Sequence, residues 1–186
     1  MGALHVHQRL HQYRHPLRAG EGFPDAVHFP SLGATAFLVF FTPTTPVASP
    51  RNTLCGHAIG IACGYAALWV TGLQLAGPAI VTELGWTRIL ATALSLATTG
   101  ALMIRFNVPH PPAAATTLIV SLGLVSRPAY LVVLEAAVGL LVAQAIIINR
   151  LTGVRYPFWA SIPAPKIGVL ASRGALQRFT RFLWLG

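Results

Sequence analysis

The hydrophobic residues of this chain are gathered into five apolar segments, separated by short polar or proline-containing linkers. Three of the segments have about the 20 residues that a membrane-spanning helix needs, whereas the first and fourth are too short to cross a bilayer comfortably. The pattern predicts a helix over each segment. The approximate bounds are segment a, Pro30 to Thr42; b, Thr53 to Thr71; c, Arg88 to Phe106; d, Pro111 to Val125; and e, Ala129 to Asn149.

Composition supports a chain that lies within a lipid bilayer. Hydrophobic residues make up 54% of the 186 residues and charged residues 9%, whereas soluble domains average about 25% charged residues. We therefore expect an all-α polytopic membrane protein of the cell inner (plasma) membrane, forming a homo-oligomer. The expected organisation is a polar basic tail over residues 1–28, a transmembrane domain over 29–150 and a basic aromatic tail at the membrane surface over 151–186.

The charge of the chain is strongly basic, with 13 Lys and Arg residues against 4 acids. The arginines flank apolar segments, which is typical of contact with lipid headgroups, and we expect no binding of nucleic acid. Cys55 and Cys63 lack the spacing of metal ligands, so the sequence predicts neither a metal site nor a cofactor. No Ser-His-acid arrangement is visible, and we do not expect an enzyme.

An internal repeat relates the two short segments. A shift of 81 residues places Pro30 on Pro111, and it places residues 33–36 on residues 114–117. Each short segment is followed by an Arg- and Pro-containing linker and then by a long apolar segment. A unit of three crossing segments would require two inverted copies, an arrangement common in transporters. A chance match between low-complexity stretches is the alternative.

The prolines of each short segment predict a helix start, because proline is tolerated where the first-turn N–H groups have no helical partner. The amides of residues 113–115 and 31–33 would then be free, and a helix N-terminus with free N–H groups favours an anion. We therefore expect an anion site between the N-termini of segments a and d. The expected substrate-binding residues are Ser31, Gly33, Ala34, Thr35, Arg51, Asn52, His57, His110, Ala113, Ala114, Ala115, Thr116 and Thr117.

Alternative roles stay open for several of these residues. The threonine hydroxyls can bond their own helix, Arg51 can contact headgroups, Asn52 is well placed as the N-cap of segment b, and His57 can be a packed polar residue. Glu135 stands inside segment e, where an acid is a functional candidate by default. Glu135 either carries a coupling proton or is a structural partner of Arg105 or His110.

Four motifs resemble the HPP family of integral membrane proteins, which is named for a His-Pro-Pro motif. They are "HPP" at residues 110–112, "PRN" at 50–52 followed by Gly56-His57, "FPSLGATAFLVF" from Phe29, and "INRLTGVRYPFW" ending at Trp159. The family often has two glycines after the prolines, where this chain has Ala113 and Ala114. Plastid and cyanobacterial members are associated with nitrite transport. The resemblance thus implies transport of a small inorganic monoanion such as nitrite; an anion channel and a structural or assembly membrane protein are the alternatives.

Overall fold

The computed structural model describes residues 30–82 and 84–160, and all regular structure in these ranges is helical. Among the described residues, three helices are long and apolar enough to cross a membrane, Pro50–Val70, Trp86–Arg105 and Pro128–Leu151. The prediction of an all-α membrane protein is confirmed. The expected N-terminal tail lies outside the described residues, and of the expected C-terminal tail only residues 151–160 are described. The helices are α1 (Pro30–Phe41), α2 (Pro50–Val70), α3 (Ala79–Thr82), α4 (Trp86–Arg105), α5 (Ala113–Ser121) and α6 (Pro128–Leu151), with a 3-10 turn at Pro46–Ala48.

The five predicted segments correspond to α1, α2, α4, α5 and α6, and the largest difference in a helix start is that of α2. α2 begins at Pro50 rather than near Thr53, because proline suits the first helical position and Ser49 before it is extended. Ser49 is therefore the N-cap, and the prediction that Asn52 caps this helix is wrong. The Asn52 side-chain amide instead donates to the carbonyls of Pro46 at 2.9 Å and Pro109 at 3.4 Å.

The start of α2 lies beside the ends of both other long helices. The Arg51 guanidinium donates to the carbonyls of Phe106 at 3.3 Å and Asn107 at 3.4 Å, just after α4 ends. The Tyr156 hydroxyl, beyond the end of α6, donates to the carbonyl of Ala48 at 2.7 Å. Burial raises the pKa of Tyr156 to about 12, so this phenol keeps its proton. α2 is thus antiparallel to both α4 and α6.

The two short helices run in opposite directions. The Asn149 side-chain amide donates to the carbonyl of Val39 at 3.0 Å, so α1 and α6 end together and run parallel. α5 runs parallel to α2, as the packing described below shows. α1 and α5 are therefore antiparallel, and so are α2 and α6. An inverted repeat requires these directions, although the repeat itself stays a prediction.

Three glycines spaced four residues apart allow α5 to lie directly on α2. A Cβ built on Gly56 would lie 2.7 Å from the Cβ of His110, and one on Gly60 would lie 2.8 Å from the carbonyl oxygen of Ala113. A Cβ on Gly64 would lie 2.9 Å from Val120. Small residues at this spacing let two membrane helices approach closely. The ascending order of the contacts shows that the helices run in the same direction.

A buried arginine holds the other end of α5. The Arg88 side chain, 3% exposed, donates to the carbonyl of Gly77 at 2.7 Å and to that of Ser121 at 3.4 Å. Gly123, which follows the helix with φ +76°, passes so close that a Cβ there would lie 2.9 Å from the guanidinium. A cation at a helix C-terminus is favourable. α5 therefore ends at the side of the bundle where α4 begins.

Neither short helix is long enough to span a bilayer alone. At 1.5 Å per residue, the 12 residues of α1 and the 9 of α5 extend about 18 Å and about 14 Å. The chain nevertheless passes from one end of the bundle to the other along α5, because α4 ends beside the start of α2 and α6 begins near the end of α2. The irregular residues 106–112 cover part of that distance.

The close packing of α2 and α5 predicts that Gly60→Ala destabilises the protein. The added methyl group would meet a backbone oxygen, and overpacking of this kind costs about 1–3 kcal/mol. The measurement is the midpoint of thermal unfolding of the purified full chain in detergent. Gly100→Ala is the matched control, because a Cβ on Gly100 in α4 meets nothing within 4 Å. Equal midpoints for the two variants would contradict the proposed packing.

Candidate functional site

Four polar side chains that are completely buried meet where α1, α2 and α5 pack together. They are Thr35, His57, His110 and Thr116, each 0% exposed, and we refer to them as the Thr–His cluster. Thr35 comes from the middle of α1, and His57 lies two turns into α2. His110 precedes α5 and contacts Gly56, while Thr116 lies one turn into α5. The two short helices are thus joined through polar groups in the interior of the bundle.

The cluster is connected by short contacts. Thr35 Oγ1 lies 2.8 Å from His57 Nε2 and 3.3 Å from His110 Nε2. The other ring nitrogens also have partners, since His57 Nδ1 lies 2.7 Å from Thr116 Oγ1 and His110 Nδ1 lies 2.8 Å from the carbonyl oxygen of Val47. The centroids of the two imidazole rings are 5.0 Å apart. A single hydroxyl group therefore bridges two histidines.

The partners determine the tautomer of each neutral ring, which has one N–H and one bare nitrogen. A carbonyl oxygen can only accept, so His110 Nδ1 carries the hydrogen and His110 Nε2 is bare. If His57 Nε2 carries its hydrogen, it donates to Thr35, and Thr116 donates to His57 Nδ1. The opposite tautomer of His57 would add a third acceptor for the one hydroxyl hydrogen of Thr35, which the carbonyl oxygen of Ser31 at 2.8 Å and His110 Nε2 at 3.3 Å can already accept. The contacts therefore favour His57 with Nε2–H.

Further hydroxyl groups lie near the cluster along the same helix faces. Thr53 and His57 lie one turn apart on one face of α2, Ser49 is the N-cap four residues before Thr53, and Ser31 lies one turn before Thr35 on α1. The hydroxyl oxygens of Ser31, Ser49 and Thr53 are buried without a hydrogen-bond partner among the described residues. Unpaired buried hydroxyls are costly. These three are therefore candidates for contact with water or a ligand.

The predicted free amides at the start of α5 are not free. The N–H groups of Ala113, Ala114 and Ala115 donate to the carbonyls of the residues three positions earlier, at 3.1, 3.0 and 3.1 Å. The His-Pro-Pro turn curls before the helix begins, so its carbonyls face these amides and accept their hydrogens. The interpretation of this N-terminus as a set of bare donors is therefore wrong, and only side chains can supply donors here.

Several predicted site residues lie away from the Thr–His cluster. Gly33, Ala34 and Ala114 are exposed, and Ala115 is half-buried. Arg51 is half-buried and contacts the carbonyls at the end of α4. Thr117 belongs to a separate contact, because its hydroxyl donates to the carbonyl of Ala113 at 3.1 Å and lies 3.0 Å from Thr99 Oγ1.

Glu135 is half-buried on α6, and its Oε2 atom has no hydrogen-bond partner among the described residues. His110 uses both ring nitrogens on Val47 and Thr35, and Arg105 is exposed. The predicted pairing of Glu135 with Arg105 or His110 is therefore not formed. Within residues 30–82 and 84–160, no three His, Cys, Asp or Glu residues are grouped as metal ligands.

The sequence alone does not predict that the glycines of α2 and the bridging hydroxyl of Thr35 belong to one site. The four-residue spacing of Gly56, Gly60 and Gly64 was the available signal, since it marks a helix face that another helix approaches. Thr35 was proposed as a ligand contact, but its link to both histidines depends on how α1 and α5 cross.

Comparison with known proteins agrees with the motifs. The family described as "HPP, transmembrane region" matches residues 17–157. A transmembrane protein of Dictyostelium discoideum is 31% identical over 98 residues, which cover 52% of this chain and 30% of that protein. The chain thus matches less than a third of the length of this relative. No solved structure matches the chain.

The tautomers can be measured directly. We expect neutral His57 to have its hydrogen on Nε2 and neutral His110 on Nδ1, because the partners described above require it. Nitrogen-15 chemical shifts of histidine-labelled protein in lipid nanodiscs distinguish the two forms, and His57→Gln and His110→Gln assign the signals. His110 with its hydrogen on Nε2 at neutral pH would show that the contact with Val47 is absent.

Proposed function

Because this chain belongs to the HPP transmembrane family, we propose that it transports a small inorganic monoanion, with nitrite as the first candidate. We place this activity in the cell inner membrane and in a homo-oligomer. The observation that carries the proposal is the Thr–His cluster, in which two short, oppositely directed helices meet inside the bundle. Short or Pro/Gly-interrupted helices in corresponding halves of a repeat are typical of transporter binding sites.

The donors that remain available favour an anion of small size. Since the first-turn amides of α5 are occupied and the imidazole nitrogens of the cluster have partners, an anion would bind to the hydroxyl groups beside the cluster. Ser31, Ser49 and Thr53 have buried hydroxyls with no partner among the described residues, and each can donate one hydrogen. The cluster side chains are in direct contact, so any bound ion must separate them. A small ion requires the smallest separation, and the site therefore favours an anion of few atoms.

A structural or assembly role is the second candidate. It is supported by the same contacts, because the amides of Ala113–Ala115 and all four imidazole nitrogens of the cluster already have partners within the protein. In that case the cluster would join α1 to α2 and α5 and bind no substrate. An anion channel is a variant of the transport proposal. Uptake through a channel would not saturate as the anion concentration rises, whereas uptake by a carrier would.

Uptake into proteoliposomes separates these functions. The purified full chain is reconstituted, and uptake of nitrite, nitrate, formate, bicarbonate and chloride is compared with that of protein-free liposomes. Saturable uptake of one or more anions supports a carrier, and uptake that rises linearly with concentration supports a channel. No uptake of any anion in the panel, by protein that is folded and inserted, would support the structural role.

His110→Gln should lower nitrite uptake about tenfold, because it removes the ring that joins Val47 to Thr35 beside the available hydroxyls, and a loss of about 1.4 kcal/mol in binding is a factor of ten. Thr98→Val is the control, since the exposed Thr98 hydroxyl donates only to the carbonyl of Leu94 in its own helix. Both variants should give the wild-type elution profile in detergent. Wild-type uptake by His110→Gln would exclude the cluster as the binding site.

A further inference from the structure

We infer that the Thr–His cluster holds one exchangeable proton at His110 Nε2 and that this proton is bound together with the transported anion. The first part depends only on the geometry of the cluster. The second part rests on the proposed function and adds the coupling ion to it.

In the neutral cluster, the hydrogen bonds form one continuous chain. Thr116 donates to His57 Nδ1, His57 Nε2 donates to Thr35, Thr35 donates to His110 Nε2, and His110 Nδ1 donates to Val47. The hydroxyl hydrogen of Thr35 has a second acceptor within reach, since the carbonyl oxygen of Ser31 lies 2.8 Å from Thr35 Oγ1. Two orientations of a single hydroxyl group are therefore available.

Adding one proton requires only that the Thr35 hydroxyl rotate. When His110 Nε2 gains a hydrogen, it donates to Thr35 Oγ1, which also accepts from His57 Nε2–H. The hydroxyl hydrogen of Thr35 then turns to the carbonyl of Ser31. Every contact among the four cluster side chains has a donor and an acceptor in both states, the contact of Thr35 with the Ser31 carbonyl gains its hydrogen in the protonated state, and neither ring has to move. The proton comes from water and returns to water, so no other reactant is needed.

A second proton is disfavoured by the distance between the rings. With both imidazoles charged, two cations would lie with ring centroids 5.0 Å apart inside the protein, and like charges at this distance repel strongly in a low-dielectric interior. The proton is assigned to His110 because a proton there removes one of the two acceptors of the Thr35 hydroxyl hydrogen. A charged His57 would leave both acceptors, His110 Nε2 and the Ser31 carbonyl, with that one hydrogen. The cluster therefore holds one proton and no more.

No acidic side chain compensates a charged His110 within the described helices. α1, α5 and the 3-10 turn contain no ionisable side chain, and the hydrogen-bond contacts of the cluster side chains are with one another and with backbone carbonyls. Glu135 on α6 lies about 15 Å along the helix axis from the level of Thr35, since Asn149 contacts Val39 and Thr35 lies one turn before Val39 in the parallel α1. The ionisable residues of the surrounding helices are Arg51, Cys55, Cys63 and Tyr65 on α2, Arg88 and Arg105 on α4, and Tyr130, Glu135 and Arg150 on α6.

An isolated buried cation is costly, and a bound anion removes much of that cost. A monoanion at the neighbouring hydroxyls would give a pair with no net charge. Since coupling between two sites is reciprocal, the proton would strengthen anion binding by the same factor. Proton and anion would therefore enter and leave together, as in symport.

The proton site is tested without any anion, using histidine-labelled full chain in lipid nanodiscs. As pH falls, we expect the nitrogen-15 signals of His110 to become those of an imidazolium while His57 stays neutral with Nε2–H. Thr35→Val should lower the pH of half-protonation by about one unit or more, because the charged ring loses its acceptor. Thr35→Ser should restore the wild-type pH of half-protonation. Thr99→Val alters only the neighbouring Thr99–Thr117 contact and should leave that pH unchanged.

A His110 that stays neutral at every pH at which the protein is folded would overturn the inference, as would charging of His57 first or of both rings together. An unchanged value in Thr35→Val would also overturn it. Nitrite should raise the pH of half-protonation; if it does not, the coupling to an anion is wrong while the proton site stands.

Uptake experiments distinguish this inference from the proposed function. The expected result is that Thr35→Val loses the pH dependence of nitrite uptake, whereas Glu135→Gln retains it. The reverse result would assign the coupling proton to Glu135 and overturn the inference. Absence of nitrite uptake by the wild type, together with the predicted titration of His110, would refute nitrite transport but not the proton site.

Discussion

The close approach of α5 to α2 is the contact on which the other features of this structure depend. Gly56, Gly60 and Gly64 provide a helix surface without side chains, and His110, Ala113 and Val120 occupy the space. Because of this contact, His110 lies beside His57, and α1 can bridge them with one threonine. A methyl group anywhere along this surface would separate the groups whose distances define the cluster.

The His-Pro-Pro turn shows how a short helix can begin in a membrane without leaving backbone N–H groups unbonded. The prolines of the His-Pro-Pro motif have no N–H, and the carbonyls of the turn accept the three amides that follow. Lipid cannot supply such partners. The motif therefore completes the backbone hydrogen bonds of the helix start, and the chemistry of the site is left to the imidazole and hydroxyl groups.

Much of the fold could be predicted from the sequence, because apolar segments of a given length have few other solutions in a bilayer. All five segments are helices, and the antiparallel directions of α1 and α5 agree with the predicted inversion. The site was harder to predict. Free amides were expected at Ala113–Ala115 because proline often opens a helix, and the tight turn before the helix was not visible in the pattern. Thr35 is 22 positions from His57 and 75 positions from His110 in the sequence. Contacts over such separations depend on how the helices cross.

Arg88 has a mechanical consequence for α5. Its guanidinium holds the carbonyls of Gly77 and Ser121 and fits against Gly123, so the C-terminal end of α5 is fixed by a charged group. The N-terminal end is held at His110 by contacts among neutral groups, and the charged Arg51 binds only farther back, at the carbonyls of Phe106 and Asn107 in the non-helical stretch before it. A displacement of α5 would therefore be a tilt with its pivot at Ser121, and the largest movement would occur at His110.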